Sequence, residues 1–294
     1  MSKQDTKNVK GMLFTAVFAV CFLPFLASIL GIDFATPGIQ SQDNELADIE
    51  KSFLSLRGGL VHALLEWSAV TIALLVMIIS LLHYHFHKDI TIPIIGTALL
   101  CAGFTDAFHT LAAMRIIEAK AENSDFIPFT WALSRMFNGA IILVGSILCI
   151  WLLSLKKPTE GQHWKHSAFL IAIILVFILI AYVVVNSAAM SSNLPKTTFT
   201  EGLISRPFDV LPLLLFSISG ILFWSWHNAK ESVFRYALIL SVIPNIATQL
   251  HMAFGSEQLF DNHFNIAHSL KILSYFIVLI GITMDAVVTV QDSE

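Results

Sequence analysis

Residues 168–185 read AFLIAIILVFILIAYVVV, a run without a charged side chain. A helix of this length and hydropathy matches the ~30 Å hydrocarbon core of a bilayer. The composition of the whole chain agrees, because 56% of the residues are hydrophobic, 13% are charged and the mean hydropathy is +0.74. Soluble proteins carry about 25% charged residues. The sequence therefore predicts an integral membrane protein.

Apolar stretches of this kind recur along the chain and predict about eight transmembrane helices. Their approximate ranges are 11–31, 59–82, 90–113, 128–155, 166–188, 207–226, 236–254 and 264–287. The stretches lack the period-two alternation of membrane β-strands, so the predicted fold is an all-α polytopic bundle. Lys3, Lys7 and Lys10 precede the first stretch, which is too long for the apolar core of a signal peptide and is expected to remain as the first helix.

The distribution of lysine and arginine among the predicted loops gives the orientation. These residues are more frequent on the side that holds both termini, which the positive-inside rule assigns to the cytoplasm. Residues 1–10 then form a cytoplasmic N-terminus, 11–287 the membrane domain and 288–294 a cytoplasmic tail, and an output domain is expected to be absent. The external loops are expected at 32–58, 114–127, 189–206 and 255–263.

Ionisable and amide side chains interrupt six of the predicted helices. A charged residue at the centre of a transmembrane helix costs roughly 2.5–3.5 kcal/mol on insertion scales, so each one needs a partner or a role. Within a helix these residues are three or four positions apart, which places them on one face. They are His62 and Glu66, Asp106 and His109, Arg135 and Asn138, Arg206 and Asp209, Asn245, Thr248 and His251, and His268 and Lys271.

The depth of these residues indicates a single polar layer. Counted at 1.5 Å per residue from the predicted helix ends, nearly all of them lie within about 15 Å of the external surface. A single pair, such as Glu66 with Lys271, is equally compatible with a structural ion pair. Six helices that all place polar groups in one layer favour a ligand or metal site.

Two overlapping sets of residues describe this predicted site. The expected metal ligands are His62, Glu66, Asp106, His109, His251 and His268. The expected contacts of a small ligand are Glu66, Asp106, Trp131, Arg135, Asn138 and Lys271. Imidazole and carboxylate donors suit zinc, iron, nickel or oxidised copper, two facing histidines suit haem b, and the cations beside carboxylates suit an acidic small molecule.

Cysteine usage and net charge exclude several other classes. Cys21, Cys101 and Cys149 lie within apolar runs and form neither a disulfide pattern nor a cysteine-based zinc motif. The net charge of -4 and the lack of a basic stripe argue against a nucleic-acid partner.

Five short strings stand out in chain order. They are His62-Ala-Leu-Leu-Glu66-Trp-Ser68, Phe104-Thr-Asp106-Ala-Phe-His109-Thr110-Leu, Trp131-Ala-Leu-Ser-Arg135, Phe199-Thr-Glu201-Gly202-Leu-Ile-Ser-Arg206-Pro207-Phe208 and His268-Ser-Leu-Lys271-Ile. Together they resemble a bacterial membrane-associated sensor domain family, the third type in its naming series, over about residues 55–285. Two positions depart from that pattern: Asn138 stands where the family often has a carboxylate, and His251 lies outside the family motifs.

The resemblance implies signature positions at His62, Glu66, Asp106, His109, Trp131, Arg135, His268 and Lys271. It also implies an eight-helix, non-enzymatic sensory input module in the bacterial inner membrane, of the kind fused to histidine kinases or diguanylate cyclases. The expected partners are a metal or small ligand from the periplasm, a second copy in a homodimer, and a kinase or cyclase output module in fusion or in trans. The signal, as in two-component systems, would pass through the last helix, which carries His268 and Lys271.

Two other functions are compatible with the same residues. An intramembrane zinc-dependent lipid hydrolase would use Glu66 or Asp106 as general base, although the chain has no HExxH motif. A haem-binding redox membrane protein would take its axial ligands from His62, His109, His251 and His268.

Overall fold

The computed structural model of the protein describes residues 3–35, 45–154, 163–199, 202, 204–229 and 231–291. The described elements are all helical, which confirms the predicted all-α class. They are α1 (Lys3–Ile29), α2 (Glu45–His87), α3 (Thr91–Ala113), α4 (Asn123–Ser154), α5 (His163–Met190), α6 (Val210–Ala229), α7 (Val233–Phe254) and α8 (Asn262–Gln291), with a 3-10 turn at Pro207–Asp209. Each of these eight helices contains a segment long and apolar enough to cross a membrane.

Several helix ends differ from the sequence prediction. α2 begins at Glu45, so much of the expected loop 32–58 is helical, and α4 begins at Asn123, inside the expected loop 114–127. α1 begins at Lys3 and α8 continues to Gln291, so both expected tails are partly helical. Hydropathy detects the part of a helix that lies in lipid, whereas residues such as Glu, Leu, Ala and Lys extend the same helix into water.

Parts of the predicted loops and termini lie outside the described residues. These are 1–2, 36–44, 155–162, 200–201, 203, 230 and 292–294. They include the middle of the expected external loop 32–58, Glu201 of the string before α6, and the end of the predicted tail 288–294.

Six of the helices form a closed ring. Contacts run from α2 to α3, α3 to α4, α4 to α6, α6 to α7, α7 to α8, and from α8 back to α2. α5 packs on the outside of α3, and α1 packs on the outside of α7. Because α5 and α1 cover them, α3 and α7 are the most enclosed helices of this comparison. In the apolar segment of each helix, 83% of α3 and 72% of α7 is buried inside the protein, against 6% of α1.

Small residues allow neighbouring ring helices to approach closely. Gly103 of α3 faces Ala73 of α2, and Gly281 of α8 faces Ala237 of α7, without room for a larger side chain at either glycine. Transmembrane helices associate largely by such close packing, because lipid tails are as apolar as the side chains that they would bury. The shape of the ring therefore depends on these small residues.

The ring has a polar group at each of its two ends. At the end where α2, α4, α6 and α8 begin, which we call the site end, the polar layer predicted from the sequence is assembled. At the opposite end, His83 Nε2 of α2 lies 3.6 Å from Asp285 Oδ2 of α8, and Arg235 Nη2 of α7 lies 3.9 Å from Asp89 Oδ2. Ionisable groups therefore link α8 to α2 at both ends of the ring.

Candidate ligand and metal site

A buried lysine between two carboxylates lies at the centre of the site end. Lys271 of α8 donates to both carboxylate oxygens of Glu66 of α2, each at 2.5 Å. Its Nζ also lies 3.5 Å from Asp106 Oδ1 of α3. All three side chains are fully buried, where a charge is tolerated only beside close partners. Lys271 therefore joins α8 to both α2 and α3.

Three histidines accompany Glu66. His268 Nε2 lies 3.3 Å and His62 Nε2 3.9 Å from Glu66 Oε1. The ring centroid of His62 is 4.8 Å from that of His268 and 5.4 Å from that of His109. One donor atom of each of the four residues lies within 4.8 Å of the other three. We call His62, Glu66, His109 and His268 the histidine–glutamate cluster.

Hydrogen bonds orient two of these imidazoles. His109 Nδ1 pairs with the Thr130 hydroxyl at 2.9 Å, and His268 Nδ1 pairs with the Phe264 carbonyl oxygen at 2.7 Å. Since a carbonyl oxygen only accepts, His268 carries a proton on Nδ1, and in the neutral ring Nε2 is an acceptor. This nitrogen then faces a carboxylate oxygen of Glu66 at 3.3 Å, and within the described residues it has no hydrogen-bond partner. A cation between the two atoms would relieve that repulsion.

The charges of the layer balance without the histidines. Among the described residues of the layer, three buried carboxylates are matched by three buried cations: Glu66, Asp106 and Asp209 by Lys271, Arg135 and Arg206. The imidazoles are therefore not needed as counter-ions. They are free to stay neutral, which is the form that binds a metal ion.

Arg135 of α4 organises the second half of the layer. Its Nη2 donates to Asn245 Oδ1 of α7 at 2.7 Å. The Gln249 amide, in the orientation that satisfies both of its partners, accepts from Arg135 Nε at 2.8 Å and donates to Asp209 Oδ1 at 3.0 Å. The guanidinium thus connects α4 to α7, and Gln249 extends the connection to the turn before α6.

Trp131 connects the two halves. Its indole Nε1 donates to Asp209 Oδ1 at 3.0 Å, and Asp209 Oδ2 accepts from Arg206 Nε at 3.2 Å. The same indole ring lies 4.4 Å from the ring of His268, between centroids, and Lys271 Nζ lies 5.2 Å from its centre. A cation at this distance from a tryptophan face is attracted by the ring.

Asn138 and Tyr275 extend the layer away from the surface. The Asn138 amide donates to the Tyr275 hydroxyl at 3.0 Å, and that hydroxyl donates to Asp106 Oδ2 at 3.1 Å. A continuous polar chain therefore runs from Lys271 through Asp106 and Tyr275 to Asn138. It joins α8, α3 and α4 in the interior of the ring.

A cavity of about 540 Å³ opens at the site end and reaches the cluster. The buried residues in its wall include His62, His109, Trp131 and Arg206. The remaining lining is mostly apolar and comes from α2, the end of α3, the start of α4 and residues 259–264. Small-molecule sites typically have volumes of 300–1,000 Å³, so the cavity is large enough for an organic ligand.

The structure brings together nine of the residues predicted for the site. They are His62, Glu66, Asp106, His109, Trp131, Arg135, Asn138, His268 and Lys271. Asp106 contacts Lys271 but does not belong to the four-residue cluster.

His251 is the exception, and the expectation that it joins the other metal ligands is corrected. Its Nδ1 pairs with His263 Nδ1 at 2.8 Å, and its ring stacks on Phe25 of α1 with centroids 3.6 Å apart. The depth of His251 along α7 agrees with the layer. His251 lies on the side of α7 that faces α1, and this side is set by how α7 packs against its neighbours.

Five further residues belong to the layer but not to the predicted sets. One is Asn245 of α7, which the sequence singled out only as a polar residue within a helix. Arg206 and Asp209 were recognised only as polar residues at a helix start, and Gln249 and Tyr275 were not singled out. Helical spacing does carry a signal for the last two, because Gln249 follows Asn245 and Tyr275 follows Lys271 by four positions.

Fold and site together define a class: a multi-pass helical membrane protein with a charge-balanced polar site at one end of a six-helix ring. A comparison with protein families identifies a family within that class. The model of the membrane-associated sensor domain family MASE3 matches residues 59–289, which is most of the chain. The protein belongs to this family and is a membrane sensory input domain, so the predicted family and multi-pass membrane location are confirmed.

The match begins within α2, so α1 lies outside the matched residues. No curated protein and no solved structure has significant similarity to the chain.

Proposed function

We propose that this sensory input domain binds a divalent transition-metal ion in the histidine–glutamate cluster. Zinc, iron and oxidised copper are the candidates, because the donors are three imidazoles and one carboxylate without a thiolate. The observation that carries the proposal is His268 Nε2, which has no hydrogen-bond partner among the residues that the structure describes and faces Glu66 Oε1 at 3.3 Å. Hydrogen bonds on the opposite nitrogen, as at His268 and His109, are typical of metal-binding histidines.

Metal binding would act through Lys271. Both oxygens of Glu66 are bonded to Lys271, so a metal ion would compete with the ammonium group for the carboxylate. Asp106 Oδ1, 3.5 Å from Lys271 Nζ, offers an alternative partner. The exchange would transfer a contact of α8 from α2 to α3, and a ligand that favours one packing by about 1–3 kcal/mol is sufficient for ordinary coupling.

The remaining parts of the proposal follow from the charge distribution and the family. The site end would face the periplasm, α8 would carry the change to the cytoplasmic side, and a kinase or cyclase in fusion or in trans would receive it. A homodimer is proposed because such output enzymes work as pairs. Asp285 of α8, beside His83 of α2, would couple the far end of α8 to the ring.

Metal analysis of protein purified without chelators tests the proposal. We expect about one transition-metal ion per chain in the wild type and at least a tenfold lower content in His62→Ala and His109→Ala. His251→Ala is the matched control, because it removes a buried histidine outside the cluster and should retain the metal. A wild type that neither contains nor takes up a metal ion, or an equal loss in His251→Ala, would contradict the proposal.

A metal-dependent lipid hydrolase is the second candidate, and the mostly apolar cavity that reaches His62 and His109 favours it. Release of fatty acid from a lipid amide by the metal-loaded protein, lost in Glu66→Gln, would support it. Haem b has less support, since imidazole centroids 4.8 and 5.4 Å apart leave no room for a porphyrin between His62 and either His268 or His109. A Soret band in the purified protein would favour haem.

A further inference from the structure

The cavity at the site end has polar groups in its inner wall, beside the buried rings of Trp131 and Phe264, and an apolar rim. His62, His109 and Arg206 are buried in the inner wall. The large side chains at the rim are exposed and apolar: Leu56, Leu60, Met114 and Leu259. A ligand that matches this gradient has a polar head that enters first and an apolar body that stays near the opening.

The charge of the lining selects the sign of that head. The charged residues among the lining are Arg115 and Arg206, and no carboxylate from the described part of the chain lines the cavity. Arg206 uses Nε for Asp209, and a guanidinium has four further N–H donors on its terminal nitrogens. Arginine binds planar carboxylates and phosphates through two such donors, so the lining favours an anion.

The rim is continuous with a lipid-facing surface. Leu60 lies on the same face of α2 as Leu64 and Trp67, one and two turns further along, and all three side chains are exposed. A ligand dissolved in the outer part of a bilayer can therefore reach the opening without leaving an apolar environment. Such access selects for amphiphiles over small water-soluble anions.

From these observations we propose that the cavity binds a single-chain amphiphile with an anionic head group, a carboxylate or a phosphate. The head lies at Arg206 beside His62 and His109, and the chain lies along the apolar lining towards Leu60. This inference rests on the proposed sensor function, because it names a ligand class for the same layer. It does not depend on which metal ion the cluster holds.

Binding of radiolabelled dodecanoate to the protein in lipid nanodiscs tests this inference, with empty nanodiscs as the blank. We expect saturable binding that unlabelled dodecanoate or dodecyl phosphate displaces, whereas dodecanol and dodecyltrimethylammonium displace it at least tenfold less well. The stronger of the two anionic competitors identifies the head group. Equal displacement by dodecanol, or no saturable binding, would overturn the proposal.

Two neighbouring leucines provide a matched pair of variants. Leu60→Trp should block the opening and lower dodecanoate affinity at least tenfold, whereas Leu64→Trp, one turn away and outside the lining, should leave it unchanged. Arg206→Gln should weaken binding of dodecanoate but not of dodecanol. Equal affinities of Leu60→Trp and Leu64→Trp would show binding elsewhere and contradict the proposal.

Metal content measured in the same samples separates the two proposals. Amphiphile binding by a wild type that neither contains nor takes up a metal ion would contradict only the metal site. Stoichiometric metal without amphiphile binding would contradict only the cavity ligand.

Discussion

At the scale of single residues, Lys271 links two carboxylates of the layer. It is the cation closest to Glu66 and contacts Asp106 as well, and all three groups are fully buried. A buried ion pair has a high desolvation cost, so stability by itself does not explain why a lysine is placed here. It is well suited to a switch, because one ammonium group has two alternative carboxylate partners.

Removal of this cation should destabilise the protein strongly. Lys271→Ala leaves Glu66 and Asp106 as two buried carboxylates without their lysine, and we expect a loss of about 3–5 kcal/mol in the free energy of unfolding. Denaturation in mixed detergent micelles measures this loss. The double variant Lys271→Met with Glu66→Leu should recover part of it, and Arg115→Ala, which removes an exposed cation, should change stability little.

At the scale of helices, the structure depends on close contacts within the ring. Gly281 of α8 faces Ala237 of α7, and α8 also carries His268 and Lys271 to the site. The α7–α8 contact therefore fixes the position of two site residues. A change there should affect the site without touching it.

Gly281→Ala should destabilise the ring by about 1–3 kcal/mol, because the added methyl group collides with Ala237. The compensating double variant Gly281→Ala with Ala237→Gly should restore most of the stability. Thermal unfolding in detergent is the measurement. Gly11→Ala, in open space on α1, serves as control, and an equal effect there would show that close packing is not the cause.

At the scale of the whole molecule, the six ring helices are those that supply the polar layer, whereas α1 and α5 lie outside. The six helices give the layer a closed wall, and the cavity lies at the site end of the ring. Which side of the membrane this end faces determines where the ligand comes from. The positive-inside rule predicts the periplasm.

Cysteine labelling in intact cells tests this orientation. Lys196→Cys lies in the loop after α5 at the site end, and Lys88→Cys lies between α2 and α3 at the opposite end; both positions are exposed. A membrane-impermeant maleimide should label Lys196→Cys in intact cells and Lys88→Cys only after permeabilisation. The native cysteines are buried and give a low background. The reverse pattern would place the site in the cytoplasm.

The sequence by itself determined the eight membrane helices, the six that carry polar groups and most residues of the layer. The hydropathy of stretches of about twenty residues is enough to predict the membrane helices. A spacing of three or four residues shows which side chains share a helix face, and the position along the helix gives their depth. Arg135, His109 and Lys271 were predicted in this way.

Only the tertiary structure decided how these faces meet. It placed Lys271 between Glu66 and Asp106, directed His251 towards Phe25 and His263, and formed the cavity beside Arg206. It also showed that α2 begins at Glu45 rather than near residue 59. The periodicity of a helix fixes only the angles between its own side chains about the helix axis. The rotation and the neighbours of each helix follow from packing between helices, which no single apolar stretch encodes.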